Sequence, residues 1–161
     1  MKKPFLFLCI SLVLFISCNK STVKPEGTVN ATTQDEATSV IKTRSAILTA
    51  HPWMYQGFYF RYIDKQHKGD PEYERGASNN IIDLDATRFM FRSNGTFVEI
   101  DGGYRYPGTW EFTDNTATIL ILNFSWGDDD CTIVNMNANH LSYTQPLAYH
   151  DLSYTELVTA Q

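Results

Sequence analysis

The pair Asn94-Gly95, set between two short runs of large apolar residues, constrains the fold more than any other feature. Asn-Gly favours the two-residue type I′ turn of a β-hairpin, because both turn residues need a positive φ. Such a turn joins residues 88–93 to residues 96–101 and places Arg88 opposite Asp101. The register predicts that one face of the hairpin is apolar and lies inward. That face consists of Phe89, Phe91, Val98 and Ile100.

A second hairpin is predicted around Asp114-Asn115, between residues 108–113 and 116–124. The same turn length places Trp110 opposite Ile119 and Phe112 opposite Ala117, with all four side chains facing inward. The stretch 117–122 is apolar on both faces. We therefore expect a helix to cover its outer side.

That helix is predicted over residues 36–50, where apolar residues recur at helical spacing until Pro52 ends the pattern. Further strands are predicted at 53–62, 131–136, 140–145 and 153–159, because aromatic and β-branched runs alternate there with turn residues. About eight strands joined by short turns close naturally into a barrel. The predicted fold is therefore mostly β, an up-and-down antiparallel barrel with one short N-terminal helix packed against it.

The N-terminus has the three parts of a signal peptide. Lys2 and Lys3 precede an apolar run from Phe5 to Ile16, which is interrupted only by Ser11. This run is shorter than the ~20 apolar residues that a membrane-spanning helix needs. We predict a signal peptide over 1–17, a lipidated cysteine with a flexible tether over 18–35, and a barrel domain over 36–161.

The stretch Leu14-Phe15-Ile16-Ser17-Cys18 resembles the lipobox of bacterial lipoproteins. The resemblance implies cleavage before Cys18, a diacylglycerol on its thiol and acylation of the new amine. Several acyl chains are enough for stable membrane attachment. Surface-exported lipoproteins of the Bacteroidetes carry acidic residues after this cysteine, whereas Asn19-Lys20-Ser21 stands here. We therefore expect an outer-membrane lipoprotein whose domain faces the periplasm.

Charge and cysteine usage exclude other classes of protein. Loss of Lys2 and Lys3 leaves 11 basic residues against 18 acidic ones in the mature chain, a net charge of −7. Nucleic-acid binding needs clustered Lys and Arg, so nucleic acid is not an expected partner. Besides Cys18, the mature chain has only Cys131, so it forms no intrachain disulfide, and Cys131 is expected to be a buried core residue.

The domain resembles the lipocalin-like domains of Bacteroidetes lipoproteins. The resemblance is carried by 88–97, 108–112 and 131–141, and it extends over about residues 46–160. It implies a barrel with a cavity for a small apolar ligand. If the interior is lined in this way, the side chains to expect there are Phe58, Phe60, Phe89, Phe91, Val98, Ile100 and Trp110. The alternative is that these rings fill the barrel, and that the domain is an interaction module contacting another envelope protein of unknown identity.

Two polar stretches remain. The long stretch from Asp64 to Asn80 is either a lid over the barrel mouth or a disordered loop. Asp128, Asp129 and Asp130 are a weak candidate site for a hard cation such as Ca²⁺, with a solvated acidic turn as the alternative. The four histidines show no zinc-ligand spacing, and no nucleophile or phosphate-loop motif is present. We therefore expect neither a cofactor nor an enzyme activity.

Overall fold

The computed structural model describes residues 31–147 and 151–160. The signal peptide, Cys18 and most of the tether lie outside these residues. No helix in the described part is long and apolar enough to cross a membrane. The elements are α1 (Ala31–Thr49), β1 (Trp53–Phe60), β2 (Asp70–Glu74), β3 (Arg88–Phe91), β4 (Thr96–Asp101), β5 (Tyr104–Phe112), β6 (Ile119–Phe124), β7 (Gly127–Asn137), β8 (His140–Pro146) and β9 (Leu152–Thr159).

The strands form a closed antiparallel barrel. Strand β1 pairs with β9 along one edge, and its other edge pairs first with β3 and then with β2. The strands from β3 to β9 follow one another in chain order, so β1 and β3–β9 close an eight-stranded barrel. β2 is an additional strand on the second half of β1. The predicted fold class is confirmed.

The two ends of the barrel are built differently. One end, called here the helix end, carries the start of β1, the β3–β4 and β5–β6 turns, the β7–β8 turn and the last turns of α1. The other end, called the mouth, carries the long β1–β3 connection and the β4–β5, β6–β7 and β8–β9 connections. This division follows from the alternating direction of antiparallel neighbours.

Helix α1 lies over the helix end instead of the outer side of β6. The indole Nε1 of Trp53 donates to the carbonyl of Leu48 at 2.8 Å, and Leu48 is fully buried in the barrel core. Arg44 donates to the carbonyl of Ala117 at 2.8 Å, which ties the helix to the turn before β6. The helix also begins at Ala31, so the last five residues of the predicted tether are helical. The prediction that the helix covers the outer side of 117–122 was wrong.

The register of the first hairpin was also wrong, by one residue. Phe91 pairs with Phe97 and Phe89 with Glu99, because three residues instead of two form the turn. Gly95 alone has a positive φ, of 80°, and the Asn94 side chain accepts a hydrogen bond from the amide of Thr96 at 3.2 Å. This geometry is a type I turn closed by a left-handed glycine. Arg88 therefore lies opposite Ile100, not Asp101.

The second hairpin differs from its prediction for a similar reason. Trp110 pairs with Leu122, so the inward side chains of β6 are its leucines, whereas Ile119 is 37% exposed. The connection between β5 and β6 is longer than a two-residue turn and is organised by Asp114. The Asp114 carboxylate accepts hydrogen bonds from the hydroxyl of Thr118 at 2.7 Å and from the amide of Ile119 at 2.8 Å. Local polar bonding therefore sets the face that β6 turns inward.

The buried core is concentrated toward the helix end and reaches the middle of the barrel. Its members are apolar side chains from every barrel strand together with one residue of α1. They are Leu48, Trp53, Phe89, Phe91, Phe97, Trp110, Leu120, Leu122, Cys131, Ile133, Leu141, Tyr143 and Leu157. Cys131 is a buried free thiol, so the prediction of its burial is confirmed.

Candidate functional site

The interior of the mouth half is polar where the helix end is apolar. Strand register places Tyr55, Glu99 and Asp129 on the inward face, opposite Leu157, Phe89 and Leu122 respectively. All three keep part of their surface exposed, although they lie on the inner wall. Water therefore reaches the interior of this half.

The electrostatics of this interior are dominated by partly desolvated acids. Burial raises the pKa of Glu99 to about 7, and the nearby charges of Asp101 and Asp129 act in the same direction. Burial likewise raises the pKa of Asp129 above its usual range. None of the inward positions of the eight barrel strands carries Lys, Arg or His, so no cation of the barrel wall offsets these charges.

Aromatic rings line the same half of the barrel. Phe58 packs edge-on against Tyr55, with ring centroids 6.5 Å apart, and against Phe60 at 5.2 Å. Across the barrel, Phe124 stacks on Trp126 at 4.7 Å, and the indole of Trp126 is 64% exposed at the mouth. The combination of apolar walls with a few inward polar groups is typical of small-molecule sites.

Inward carboxyls among aromatic rings favour a ligand with an apolar body and a group that donates hydrogen bonds or carries positive charge. Such a group would supply the hydrogen-bond partner that the Glu99 carboxyl lacks among the described residues, and it would add to the one that Gln145 gives Asp129. Asp101 differs from them, because the buried hydroxyl of Thr87 donates to it at 2.9 Å. Glu99 is therefore the main polar candidate, with Asp129 on the same inner wall as the second.

The structure distributes the predicted lining residues over three places. Phe89, Phe91 and Trp110 are buried in the apolar core, and Phe58 and Phe60 lie on the inner wall near the mouth. The two remaining candidates project outward, because the register differs by one residue and therefore reverses the face. These are Val98, which pairs with Met90 and Pro107, and Ile100, which pairs with Arg88 and Arg105.

The three consecutive aspartates do not form a common site. Asp128, Asp129 and Asp130 belong to β7, not to a turn, so neighbouring side chains point to opposite faces. Asp129 faces inward, whereas Asp128 and Asp130 are exposed on the outer face. Within residues 31–147 and 151–160, no group of three or more His, Cys, Asp or Glu residues is arranged to hold a metal ion.

The long polar stretch between β1 and β3 is ordered. It contains β2, and Arg75 donates to the backbone carbonyl of Tyr55 at 2.7 Å, so the prediction of plain disorder was wrong. Its first part, residues 61–69, is called the strap below. The strap lies beside the mouth and does not cover it, so its role as a lid stays a prediction.

Two inward polar residues, Tyr55 and Glu99, were not predicted as site residues, and Asp129 was predicted only as part of a weak cation site. Their signal was present: Phe97, Glu99 and Asp101 alternate along one strand, and alternation places them on one face. The predicted two-residue turn placed Val98 and Ile100 on the inward face of β4, and therefore placed Glu99 on the outward face. Only the correct turn length brings Glu99 to the inner wall.

Several cavities in the described part of the chain lie outside the barrel interior, among them one of about 270 Å³ in the β2–β3 connection. One of about 470 Å³ and another of about 290 Å³ flank α1, and both are lined by Ser39, Thr43 and Ile47. A further cavity, of about 410 Å³, lies at the rim of the mouth between Phe60 and Leu147. The 410 Å³ cavity shares Phe60 with the aromatic wall, and most of its other lining residues are charged.

The fold defines a class: a small closed antiparallel β-barrel with a helix over one end and a polar, water-accessible half at the other. A crystal structure of a DUF4847 family protein from Bacteroides vulgatus is similar to this chain, with a TM-score of 0.52 and 16% identity. The similarity covers 71% of this chain and 95% of that protein. At this identity it shows the fold alone. No protein-family model and no curated protein matches the sequence.

Proposed function

We propose that this protein is a lipid-anchored lipoprotein of the bacterial envelope that binds a small amphipathic molecule in the mouth half of its barrel. The observation that carries the binding proposal is the pair of inward acids Glu99 and Asp129, held among aromatic rings on a wall that water reaches. In a barrel whose interior is completely filled by side chains, we would expect apolar residues at these positions, because burying a carboxyl without a partner is unfavourable.

The ligand proposed here differs from the purely apolar molecule that the sequence predicts. Its apolar part would pack against Phe58 and Phe124, and its polar or cationic group would meet the carboxyls. The inward carboxyls support this choice, since an apolar molecule would desolvate both acids and leave Glu99 without a hydrogen-bond partner.

The proposed anchor is the lipid on Cys18, and the proposed location is the periplasmic side of the outer membrane. It is supported by the basic start, the short apolar run and the lipobox-like stretch that ends at Cys18. The lipid would make the membrane contact, because the acidic mature chain offers no net attraction to anionic lipids.

The alternative function, an interaction module whose barrel is solid, is supported by the packed helix end. Its thirteen-residue core fills that part of the interior with rings and aliphatic chains. The two functions predict different co-purifying molecules when the protein is isolated from its host: a small molecule for the binding function and a partner protein for the interaction module.

Native mass spectrometry of the full chain, extracted in detergent from its own host, tests the proposal. We expect a chain that starts at Cys18 with added acyl mass, together with a co-purifying small molecule. The matched variant Glu99→Leu should lose that molecule and keep the acyl mass, whereas Cys18→Ala should remain an unprocessed precursor. A mature chain without acyl mass would contradict the anchor. An empty barrel with a co-purifying protein would instead favour the interaction module.

A further inference from the structure

The strap is a closed loop that leaves and rejoins the barrel at the mouth. Its ends are joined by the pairing of Phe60 with Asp70, the last and first residues of β1 and β2. Both turning points take left-handed backbone conformations: Arg61 has a φ of 59° and Gly69 a φ of 97°. A Cβ at Gly69 would overlap the carbonyl oxygen of Phe60, so only glycine fits there.

Two strap residues contact the outer face of the barrel. The ring of Tyr62 stacks on Tyr154 with centroids 4.7 Å apart, and its amide donates to the carbonyl of Leu152 at 3.0 Å. At the other end of the strap, the ammonium of Lys68 donates to Glu156 Oε1 at 2.8 Å. Between these contacts the strap turns on itself, and Ile63 is 75% exposed.

Lys68 occupies a cage made of two rings and one carboxylate. Its ammonium lies 5.4 Å from the centroid of Tyr59 and 5.8 Å from that of Tyr154, distances at which a cation is attracted by aromatic rings. The hydroxyl of Tyr154 donates to the same Oε1 of Glu156 at 3.1 Å. Tyr59 belongs to β1, and Tyr154 and Glu156 belong to β9, so the cage is part of the barrel and is not formed by the strap.

The cage lies on the outside of the barrel. Tyr59 pairs with Tyr154, and Glu156 pairs with Ser142, while their neighbours Thr155 and Leu157 face inward. In the described part of the chain, the fully buried hydroxyl of Ser142 lies near that of Tyr154 without a well-aligned hydrogen bond. The cage is therefore a polar centre on the face away from the ligand site.

We propose that Lys68 is a clasp: by inserting its ammonium into the cage of Tyr59, Tyr154 and Glu156, it holds the strap on the outer face and keeps the mouth uncovered. Released from the cage, a loop of this length extends up to ~15 Å from its base. Because the base is at the mouth, the exposed Ile63 can then swing over the aromatic rim. The clasp itself stands on the contacts above, whereas its role as a gate rests on the proposed ligand site.

Hydrogen exchange in the full chain, followed by NMR in detergent, tests the clasp. Lys68→Met keeps the apolar stem and removes the ammonium, and Lys65→Met is the control, because Lys65 is exposed on the same strap. We expect the Tyr62 amide to exchange at least about fivefold faster in Lys68→Met and unchanged in Lys65→Met. Amides of the β8–β9 ladder should keep their protection in both variants. Equal Tyr62 exchange in Lys68→Met and the unmodified chain would overturn the clasp.

A spin label on Ile63→Cys tests whether the released strap reaches the mouth. Cys131 is buried and should remain unlabelled. The label should broaden the indole resonance of Trp126 in the Lys68→Met background and leave it sharp when Lys68 is present. Faster Tyr62 exchange without this broadening would overturn the gate. Neither measurement uses a ligand, so an empty barrel in the mass-spectrometry experiment would leave both readouts intact.

Discussion

The two halves of the barrel interior are made by the same strands and have opposite properties. At the helix end, Trp53 and Leu48 are fully buried and Phe91 is 6% exposed, with rings and aliphatic chains filling the space. In the mouth half, Tyr55, Glu99 and Asp129 occupy the same inner wall and remain in contact with water. Burial of apolar side chains therefore stabilises the fold mainly at the helix end. The mouth half can hold polar side chains that contribute little to stability.

The position of α1 explains why the division falls where it does. The helix supplies Leu48 to the core and a carbonyl acceptor to Trp53, so the helix end is covered and dry. In the described part of the chain, the mouth is surrounded by loops, turns and β2, with no helix over it, so water is admitted there. Inward polar residues are tolerated only in the half that water reaches, because a carboxyl in the dry half would lose its hydration without a partner.

The largest effect is expected from Trp110→Ala. The Trp110 indole is 8% exposed, packs edge-on against Phe91 at 6.2 Å, and donates to the carbonyl of Arg92 at 3.0 Å. Its truncation should lower the free energy of unfolding by about 3–5 kcal/mol through lost burial and a residual cavity. Denaturant unfolding followed by fluorescence measures this loss.

The matched control is Trp126→Ala at the mouth. Trp126 is largely exposed and stacks on Phe124, so its truncation should lower the unfolding free energy by less than about 1 kcal/mol. Equal losses in the two variants would mean that the halves contribute alike to stability. A solvent-exposed emission from Trp110 would show that its inward placement is incorrect.

An intermediate effect, opposite in sign, is expected from Glu99→Gln. Because the folded pKa of Glu99 is about 7 instead of 4.5, the folded protein holds this proton where the unfolded chain has released it. Stability from this group is therefore complete below about pH 4.5 and decreases until about pH 7. Glu99→Gln should raise the unfolding free energy at pH 8 by on the order of 1 kcal/mol, a value reduced for the water that reaches the side chain.

Unfolding curves at pH 4.5 and pH 8 for the two proteins measure this difference. Glu111→Gln on the exposed outer face of β5 is the control, and it should leave the pH dependence of stability unchanged. If Glu99→Gln had no more effect at pH 8 than at pH 4.5, the mouth half would not hold a desolvated carboxyl. The contrast between the halves would then be one of packing alone.

The smallest effect is expected from Ser142→Ala, on the outer face away from both halves. Among the described residues, the fully buried hydroxyl of Ser142 lies near that of Tyr154 without forming a well-aligned hydrogen bond, so its removal loses little hydrogen bonding and leaves only a small void. Thermal unfolding should show equal or slightly higher stability, within about 1 kcal/mol. Ser153→Ala is the comparison, because the Ser153 hydroxyl donates to the carbonyl of Gln145 and its loss should be destabilising. A clear loss in Ser142→Ala would indicate a bonded hydroxyl.

Much of the fold could be predicted from the sequence, but the site could not. The aromatic runs and turn residues predict the strands and the barrel, and Trp110 and Cys131 are buried as expected. The prediction that Val98 and Ile100 face inward was wrong, because one additional turn residue moves every side chain of the strand to the opposite face. The same reversal hid Glu99, which the two-residue turn would have placed outside.

The sequence by itself determined the class of fold, because period-two alternation and short turns act locally and need no knowledge of the rest of the chain. It also contains the lipobox-like stretch on which the proposed anchor depends. Only the tertiary structure decided which face of β4 and β6 turns inward, through the left-handed Gly95 and the hydrogen bonds of Asp114. It also decided that α1 covers one end, which depends on long-range contacts such as that between Arg44 and Ala117. Those contacts separate a dry half from a wet half, and no local pattern in the sequence encodes that separation.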